Sequence, residues 1–124
     1  MKVVSTTNAP QAIGPYSQAM ISGGMVYTSG QIAIDPSSGN IQATTIEDQT
    51  HQVCKNVKAV LEASGSSLDK VVKTVCFLAD MGDFATFNGI YAQYFTSKPA
   101  RSCVAVKTLP KNVLVEIDTV AEVQ

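Results

Sequence analysis

Charge is scarce in this sequence. Charged residues make up 15% of the 124 residues, the formal net charge is −1, and no run of Lys or Arg occurs. Proteins that bind nucleic acid by neutralising phosphates depend on basic clusters, so that function class is disfavoured. Hydrophobic residues make up 45% of the chain, which is enough for a core and leaves little charge for the surface. We therefore expect a partner subunit to cover part of the surface.

Long apolar runs, a signal segment and metal-binding motifs are also lacking. No apolar stretch approaches the roughly 20 residues of a membrane helix, and no charged segment followed by an apolar one opens the chain. The three cysteines, Cys54, Cys76 and Cys103, are odd in number and lie among apolar residues, which is typical of reduced thiols in a cytoplasmic protein. With one histidine and no Cys-x-x-Cys motif, a zinc site would lack ligands. Length and the absence of repeats or linkers predict a single domain over residues 1–124.

The first half of the chain predicts a hairpin, a turn and a helix. Two short apolar runs, 19–21 and 25–29, flank Ser22-Gly23-Gly24 and are typical of a β-hairpin. Asp35-Pro36-Ser37-Ser38-Gly39 predicts a turn. The helix begins at Thr44 or Thr45, with Glu47 completing a capping box on Thr44, and ends before Gly65. His51 falls on the polar side of this helix, where we expect a solvated surface histidine.

The second half predicts a strand, a helix and two strands. The strand covers 71–79, the helix covers 84–95 with Asp83 as its N-cap, and the last strands cover 102–107 and 113–121. An aromatic stripe on the second helix is interpreted as core packing; its members are Phe84, Phe87, Tyr91 and Tyr94. The order ββ(β)αβαββ predicts an α+β fold, with two helices on one face of a small mixed or antiparallel sheet. Because the central strands carry apolar residues on both faces, we expect a second subunit to cover the other face.

Two charged residues are candidates for chemistry. Arg101 is the only arginine, and its planar guanidinium could bind a carboxylate through two hydrogen bonds or serve a structural ion pair. Glu116 lies among apolar neighbours, so it is either on a solvated face or partly buried with a raised pKa that suits a general base. If the last two strands form a hairpin with Lys107 opposite Asn112, Cys103 faces Glu116 and Arg101 faces Asp118. All four side chains would then share one side of the sheet.

Other nucleophiles are disfavoured. Cys103 has no histidine partner, so it is expected to form part of a wall and to offer its backbone N–H to a substrate. Ser29 lacks the Gly-x-Ser-x-Gly frame of a serine hydrolase, and the glycines fit no phosphate-binding loop. The residues alone therefore predict an oligomeric α+β domain with a candidate carboxylate-binding site.

Several motifs occur together and in a specific order. They are Gly14-Pro15-Tyr16-Ser17-Gln18-Ala19, Ser29-Gly30-Gln31-Ile32, Asp35-Pro36 with Gly39, Asn56, Asn88 with Tyr91 and Phe95, Pro99-Ala100-Arg101-Ser102-Cys103, Leu109-Pro110 and Val115-Glu116-Ile117. Over almost the whole chain they resemble the reactive intermediate deaminase (RidA) family, also called YjgF. The resemblance implies a fold like that of chorismate mutase of the trimeric bacterial type. It also implies a homotrimer with active sites between subunits.

The resemblance further implies an activity and residue roles. The activity is hydrolysis of 2-aminoacrylate, 2-aminocrotonate and related enamines or imines, released by pyridoxal-phosphate-dependent dehydratases, to 2-keto acids and ammonia, without a cofactor or metal. Arg101 would clamp the substrate carboxylate, and Glu116 would hold and activate the attacking water. Tyr16 would line the cleft from a neighbouring subunit, and the backbone amide of Cys103 would meet the carboxylate. Further pocket positions are Ser29, Gly30 and Asn88. The alternatives are an endoribonuclease or translation inhibitor, and a ligand-binding or chaperone-like protein without turnover.

Overall fold

Six strands and two helices make up the fold, as a computed structural model of residues 1–124 describes it. The strands are β1 (Lys2–Val4), β2 (Ala19–Ser22), β3 (Met25–Thr28), β4 (Val71–Leu78), β5 (Ala100–Ala105) and β6 (Val115–Glu122), and the helices are α1 (Ile46–Ala63) and α2 (Phe84–Tyr94). The strands form one sheet in the order β1-β2-β3-β6-β4-β5, in which only β4 and β5 run parallel. The predicted α+β class with a mixed sheet and two helices is confirmed. The optional third strand of the predicted order is β1, at the start of the chain.

Local turn and cap signals account for the first half of the chain. Gly23 and Gly24 have φ angles of 59° and 78°, which suit the two-residue turn of the predicted hairpin. The helix α1 begins one residue later than the predicted capping box requires: Thr45, not Thr44, accepts a hydrogen bond from the backbone N–H of Asp48 at 3.1 Å. Gly65 follows the helix with a φ of 79°, as predicted for the C′ position.

The aromatic stripe of α2 packs into the core, as predicted: Phe87 and Tyr91 are buried in it, and Phe84 and Tyr94 are partly buried against it. Phe87 is fully buried, and the ring of Tyr91 stacks on that of Phe95 with centroids 4.5 Å apart. Asp83 occupies the predicted N-cap position of α2, but its side chain makes no capping hydrogen bond. A short 3₁₀ turn precedes α2, and Asp80 caps that turn by accepting from the N–H of Gly82 at 2.7 Å.

The predicted hairpin between the last two strands is wrong. The strand β4 lies between β5 and β6, parallel to the first and antiparallel to the second. The β4–α2–β5 segment is a βαβ unit, and its crossover helix places the two strands side by side in parallel. The chain after β5 then passes the end of β4, where the N–H of Val106 donates to the carbonyl of Leu78 at 2.9 Å.

With β4 between β5 and β6, Arg101 and Glu116 lie on opposite faces of the sheet. Arg101 pairs with Thr74, which is fully buried beneath the helices, whereas Glu116 pairs with the half-buried Phe77. Because side chains alternate along a strand, Arg101 and Cys103 belong to the helix-covered face, and Glu116 to the other. The predicted arrangement, with Cys103 facing Glu116 and Arg101 facing Asp118, is therefore wrong.

The face opposite the helices, called the open face below, is largely apolar. Its apolar side chains are half-buried or exposed; they include Val3, Met20, Met25, Tyr27, Val75, Phe77, Val104 and Val120. Tyr27 and Val104 retain 49% and 47% of their exposure. The apolar character expected for this second face is thus present. Neither helix of the fold has the combined length and apolar character of a membrane crossing.

Candidate functional site

Arg101 rests on one face of α2. Its Nη1 donates to Oδ1 of Asn88 at 2.7 Å, and its Cζ lies 5.4 Å from the ring centroid of Phe84 and 4.9 Å from that of Tyr91. These contacts fall at helix positions i, i+4 and i+7, which share one face. The hydrogen-bond partner is a neutral amide, so the charge is not consumed by a structural ion pair. A guanidinium has five N–H donors, and Asn88 uses one of them.

Glu116 lies beside a short bridge between β6 and the loop after β3. The N–H of Gln31 donates to the carbonyl of Ile117 at 2.8 Å, and the N–H of Ile117 donates back at 3.2 Å. This bridge brings Gly30 against the Glu116 carboxyl, so closely that a Cβ on Gly30 would lie 2.8 Å from Glu116 Cδ. Burial, followed by the negative charge of Asp118, raises the pKa of Glu116 above its usual value. A carboxyl of this kind can exchange a proton nearer to neutral pH than an exposed one.

A cavity of about 200 Å³ opens beside Glu116. Its remaining walls come from two loops and from the turn before β6; they are Pro10, Gln11, Ile13, Tyr16, Gln18, Gly30, Gln31, Ile32, Ile34 and Pro110. Tyr16 is 50% exposed, so it is free to contact a ligand or a second subunit. The cavity combines one carboxyl with mostly apolar walls, which suits a small organic molecule.

Two residues hold the Tyr16 loop in place. The buried Gln18 amide donates to the carbonyls of Thr6 at 3.0 Å and Pro10 at 2.7 Å. The hydroxyl of Ser29 donates to the carbonyl of Ser17 at 2.6 Å, so Ser29 supports the loop and is not among the residues that line the cavity. Sequence reasoning placed Ser29 in the pocket and did not identify Gln18, whose role depends on contacts up to 12 residues away.

All three cysteines are free thiols; Cys54 and Cys76 are buried, and Cys103 is partly buried. Cys103 pairs with Cys76 across β5 and β4. Burial raises the pKa of Cys103, against an opposing effect of Arg101, and burial raises the pKa of Cys76 to about 12. Burial also raises the pKa of Cys54. Protonated thiols are poor nucleophiles, in keeping with the wall-forming role expected of Cys103.

The candidate residues thus form two groups. The arginine half-site consists of Arg101, Asn88 and Cys103, and the glutamate half-site consists of Glu116, Gly30 and Tyr16. A second cavity, of about 300 Å³, adjoins Arg101 near the end of α2 and contains none of the glutamate half-site. Because the two half-sites lie on opposite faces of the sheet, one chain does not bring them into a single cleft.

His51 and the surrounding polar groove lie apart from both half-sites. Its Nδ1 is 2.8 Å from the Tyr94 hydroxyl, so His51 links α1 to α2 and is not the purely solvated residue that the sequence suggested. The adjoining cavity, of about 560 Å³, is larger than the other two and includes no predicted site residue. Nowhere do three His, Cys, Asp or Glu side chains gather where they could hold a metal ion.

Comparison with known proteins gives consistent matches over the whole length. The family model described as Endoribonuclease L-PSP matches residues 6–123. The 2-iminobutanoate/2-iminopropanoate deaminase of Salmonella typhimurium is 48% identical, over 97% of this chain and 96% of its own. The chloroplastic Reactive Intermediate Deaminase A of Arabidopsis thaliana is 47% identical, over 97% of this chain and 65% of its own. The crystal structure of E. coli TdcF with bound serine superimposes with a TM-score of 0.95 at 42% identity, covering 100% of both chains.

Proposed function

Because the chain belongs to the Endoribonuclease L-PSP family, which includes the YjgF and RidA proteins, we propose that it hydrolyses reactive 2-enamino and 2-imino acids. Its substrates would include 2-aminoacrylate and 2-aminocrotonate, and its products 2-keto acids and ammonia. Relatives carrying deaminase names at 47% and 48% identity support this reaction class. The proposed site needs no cofactor.

The observation that carries the proposal is the set of contacts that the Arg101 guanidinium makes and the N–H groups that it leaves free. The guanidinium rests on two aromatic rings, is bonded to a neutral amide, and keeps its other N–H groups for a ligand. A planar fork of this kind binds a carboxylate through two parallel hydrogen bonds. Every proposed substrate carries a carboxylate next to the reacting carbon. Arg101 would therefore fix C2 of the substrate relative to the attacking water.

Glu116 supplies the proton transfers in this proposal. The enamine first tautomerises to the imine, whose C2 is electrophilic. Glu116 removes a proton from a water molecule as the water oxygen bonds to C2, and it passes that proton to the imine nitrogen, which gives a neutral carbinolamine with OH and NH2 on C2. Glu116 then takes the hydroxyl proton and passes it to the nitrogen. The C–O bond becomes C=O as the C–N bond breaks, so that ammonia leaves and the 2-keto acid remains. Positioning and one general base are enough for a reaction that proceeds slowly in water without a catalyst.

We further propose that the active protein is a homotrimer with its sites between subunits. The two half-sites lie on opposite faces of one sheet, so a complete site requires a second chain. The apolar open face supports this assembly, because burying such a face is the main source of stability in subunit interfaces. Tyr16, Ser29, Gly30, Asn88 and Cys103 would then shape the clefts, with the Cys103 backbone amide directed to the carboxylate.

The decisive experiment is a coupled assay. A pyridoxal-phosphate-dependent serine dehydratase generates 2-aminoacrylate in situ, and the appearance of pyruvate is followed with and without this protein. We expect faster pyruvate formation, with the acceleration lost in Glu116→Ala protein that still forms the same oligomer. Equal rates with and without the wild-type protein would contradict the proposal.

The family description favours a second candidate, an endoribonuclease. The net charge of −1 and the absence of a basic cluster disfavour it. RNA cleavage should be measured on the same preparations. Cleavage that persists in Arg101→Ala and Glu116→Ala proteins, and weakens steeply with salt, would place an RNA site elsewhere on the molecule.

A further inference from the structure

The Arg101 guanidinium has a support that extends into the core. Tyr91 lies below it with its ring centroid 4.9 Å from Cζ. The hydroxyl of Tyr91 is 2.8 Å from Oγ1 of Thr74, and both residues are buried. Tyr91 also stacks on Phe95, so its ring is fixed at both the edge and the face.

Thr74 connects the Tyr91 ring back to the backbone of Arg101. It is the residue that pairs with Arg101 across β4 and β5. The backbone of Arg101 is therefore set by Thr74, the Thr74 hydroxyl holds the Tyr91 ring, and that ring supports the Arg101 side chain. Asn88 holds the guanidinium from the side, through its hydrogen bond to Nη1. The pairing of β4 with β5 thus determines the position of the Arg101 guanidinium as well as that of its backbone.

We propose that Tyr91, anchored by Thr74, is a positioning residue that holds the Arg101 guanidinium in its carboxylate-binding orientation before a ligand arrives. The inference rests on the proposed role of Arg101 in binding the substrate carboxylate. A free arginine side chain has many rotamers, and freezing them on binding weakens affinity. A guanidinium that is already held in its binding orientation avoids that loss and fixes C2 of the substrate relative to the water. Burial raises the pKa of Tyr91, which extends the pH range in which the phenol is neutral and can bond Thr74.

The first test compares two tyrosines of the same helix. Tyr91→Phe keeps the ring and removes the bond to Thr74, whereas the control Tyr94→Phe removes a hydroxyl that bonds His51 and is not in contact with Arg101. We expect Tyr91→Phe to weaken pyruvate binding and to lower kcat/KM by about tenfold, the scale of one lost buried hydrogen bond. Thr74→Val should have the same effect, and Tyr94→Phe should leave both quantities near wild-type values. Equal effects of Tyr91→Phe and Tyr94→Phe would overturn the proposal.

The second test separates positioning from a general structural role. In an Arg101→Ala background, Tyr91→Phe should cause no further loss of pyruvate affinity or of residual activity, because Tyr91 acts through Arg101. An undiminished tenfold loss in that background would show that Tyr91 acts independently of Arg101, and the proposal would fail.

The third test needs no substrate. Since Arg101 is the only arginine, its Nε–H gives a single side-chain signal in ¹⁵N-labelled protein. We expect restricted guanidinium rotation in the wild type and in Tyr94→Phe, and faster rotation in Tyr91→Phe. Identical mobility in all three proteins would contradict the inference. If the wild-type protein failed the deaminase assay, the proposed function would fall, while this signal would still decide whether Tyr91 positions Arg101.

Discussion

At the scale of single residues, Arg101→Lys tests whether charge or geometry matters. Lysine keeps the charge but lacks the planar fork, so it should not rescue binding of the carboxylate. We expect kcat/KM to fall by about 10- to 150-fold, the scale of a charged hydrogen-bonded contact. The melting temperature should change little, because the observed bond of Arg101 is to a neutral amide.

Arg101→Ala serves as the comparison for this prediction. If Arg101 were mainly structural, the alanine variant would lose much stability, the lysine variant less, and activity per folded oligomer would be unchanged. Steady-state kinetics and thermal melts of both variants distinguish that outcome from the clamp.

The absence of a side chain at Gly30 leaves room for the Glu116 carboxyl. In Gly30→Ala the new methyl group would collide with the Glu116 carboxyl. The obstacle is the flexible end of a side chain, so Glu116 should move and the fold should remain. We expect kcat to fall at least tenfold, toward the value of a variant without a general base, while pyruvate binding at Arg101 persists.

Gly89→Ala is the matched control, because a Cβ at Gly89 meets no atom within 4 Å. Alanine within α2 should stabilise the protein by about 0.5–1 kcal/mol and leave kcat unchanged. Wild-type kcat in Gly30→Ala protein would remove the proposed role of Glu116 or its contact with Gly30.

At the scale of elements, the start of α1 depends on one hydroxyl. Thr45→Ala removes the acceptor for the Asp48 N–H and should reduce the free energy of unfolding by about 1 kcal/mol. Thr44→Ala should leave it nearly unchanged, because the cap is Thr45. Urea titrations measure both. A larger loss for Thr44→Ala would restore the capping box on Thr44 and Glu47.

Asp118, on β6, makes the stability of the fold depend on pH. Burial raises the pKa of Asp118 above the ordinary value of 3.8, so the folded state binds this proton more tightly than the unfolded state. Stability is therefore lost as the pH rises from about 3.8 through the raised pKa. Asp118→Asn removes this loss, so its melting temperature should exceed that of the wild type at pH 7 and approach it in acid.

The control for this pH dependence is Glu62→Gln, at an exposed position of α1. It should change the melting temperature little across the same range. An advantage of Asp118→Asn that does not vary with pH would show that the effect is not due to ionisation.

At the scale of the whole molecule, the separation of the half-sites makes a complementation test possible. Arg101→Ala and Glu116→Ala proteins should each retain only a small residual activity, but a trimer containing both has one site with an intact Arg101 and an intact Glu116. Random mixing of equal amounts by co-expression should restore about a quarter of the wild-type activity, because three of every four trimers are mixed and each has one intact site in three. Activity is measured with the coupled assay.

Two controls accompany the mixture. Light scattering should give a mass of three times 13.1 kDa for all preparations, and mixing the folded proteins without subunit exchange should restore nothing. If both half-sites belonged to one subunit, co-expression would also restore nothing. A stable monomer would contradict the assembly itself.

The sequence by itself determined the local features. The glycine pair of the hairpin, the Gly39 turn, the spacing of α1 and the aromatic stripe of α2 all depend on residues within a few positions of one another, and each forms as predicted. Errors at this level are small: Thr45 caps α1, so the capping box on Thr44 does not form, and Asp83 stands at the N-cap of α2 without a side-chain hydrogen bond. The residue types at Arg101 and Glu116 were also informative. Only one arginine occurs, and a charged carboxyl is costly to bury among apolar residues unless it is paired.

Only the tertiary structure decided where those residues act. A strand does not encode its neighbour, since any apolar strand can pair with another, and a change of partner can move side chains to the opposite face. The sequence favoured β5 beside β6; the crossover through α2 placed β4 between them and so put Arg101 and Glu116 on opposite faces. The support of Arg101 by Tyr91 and Thr74 arises from the same pairing. These contacts join segments far apart in the chain, and their geometry is fixed by packing of the helices on the sheet.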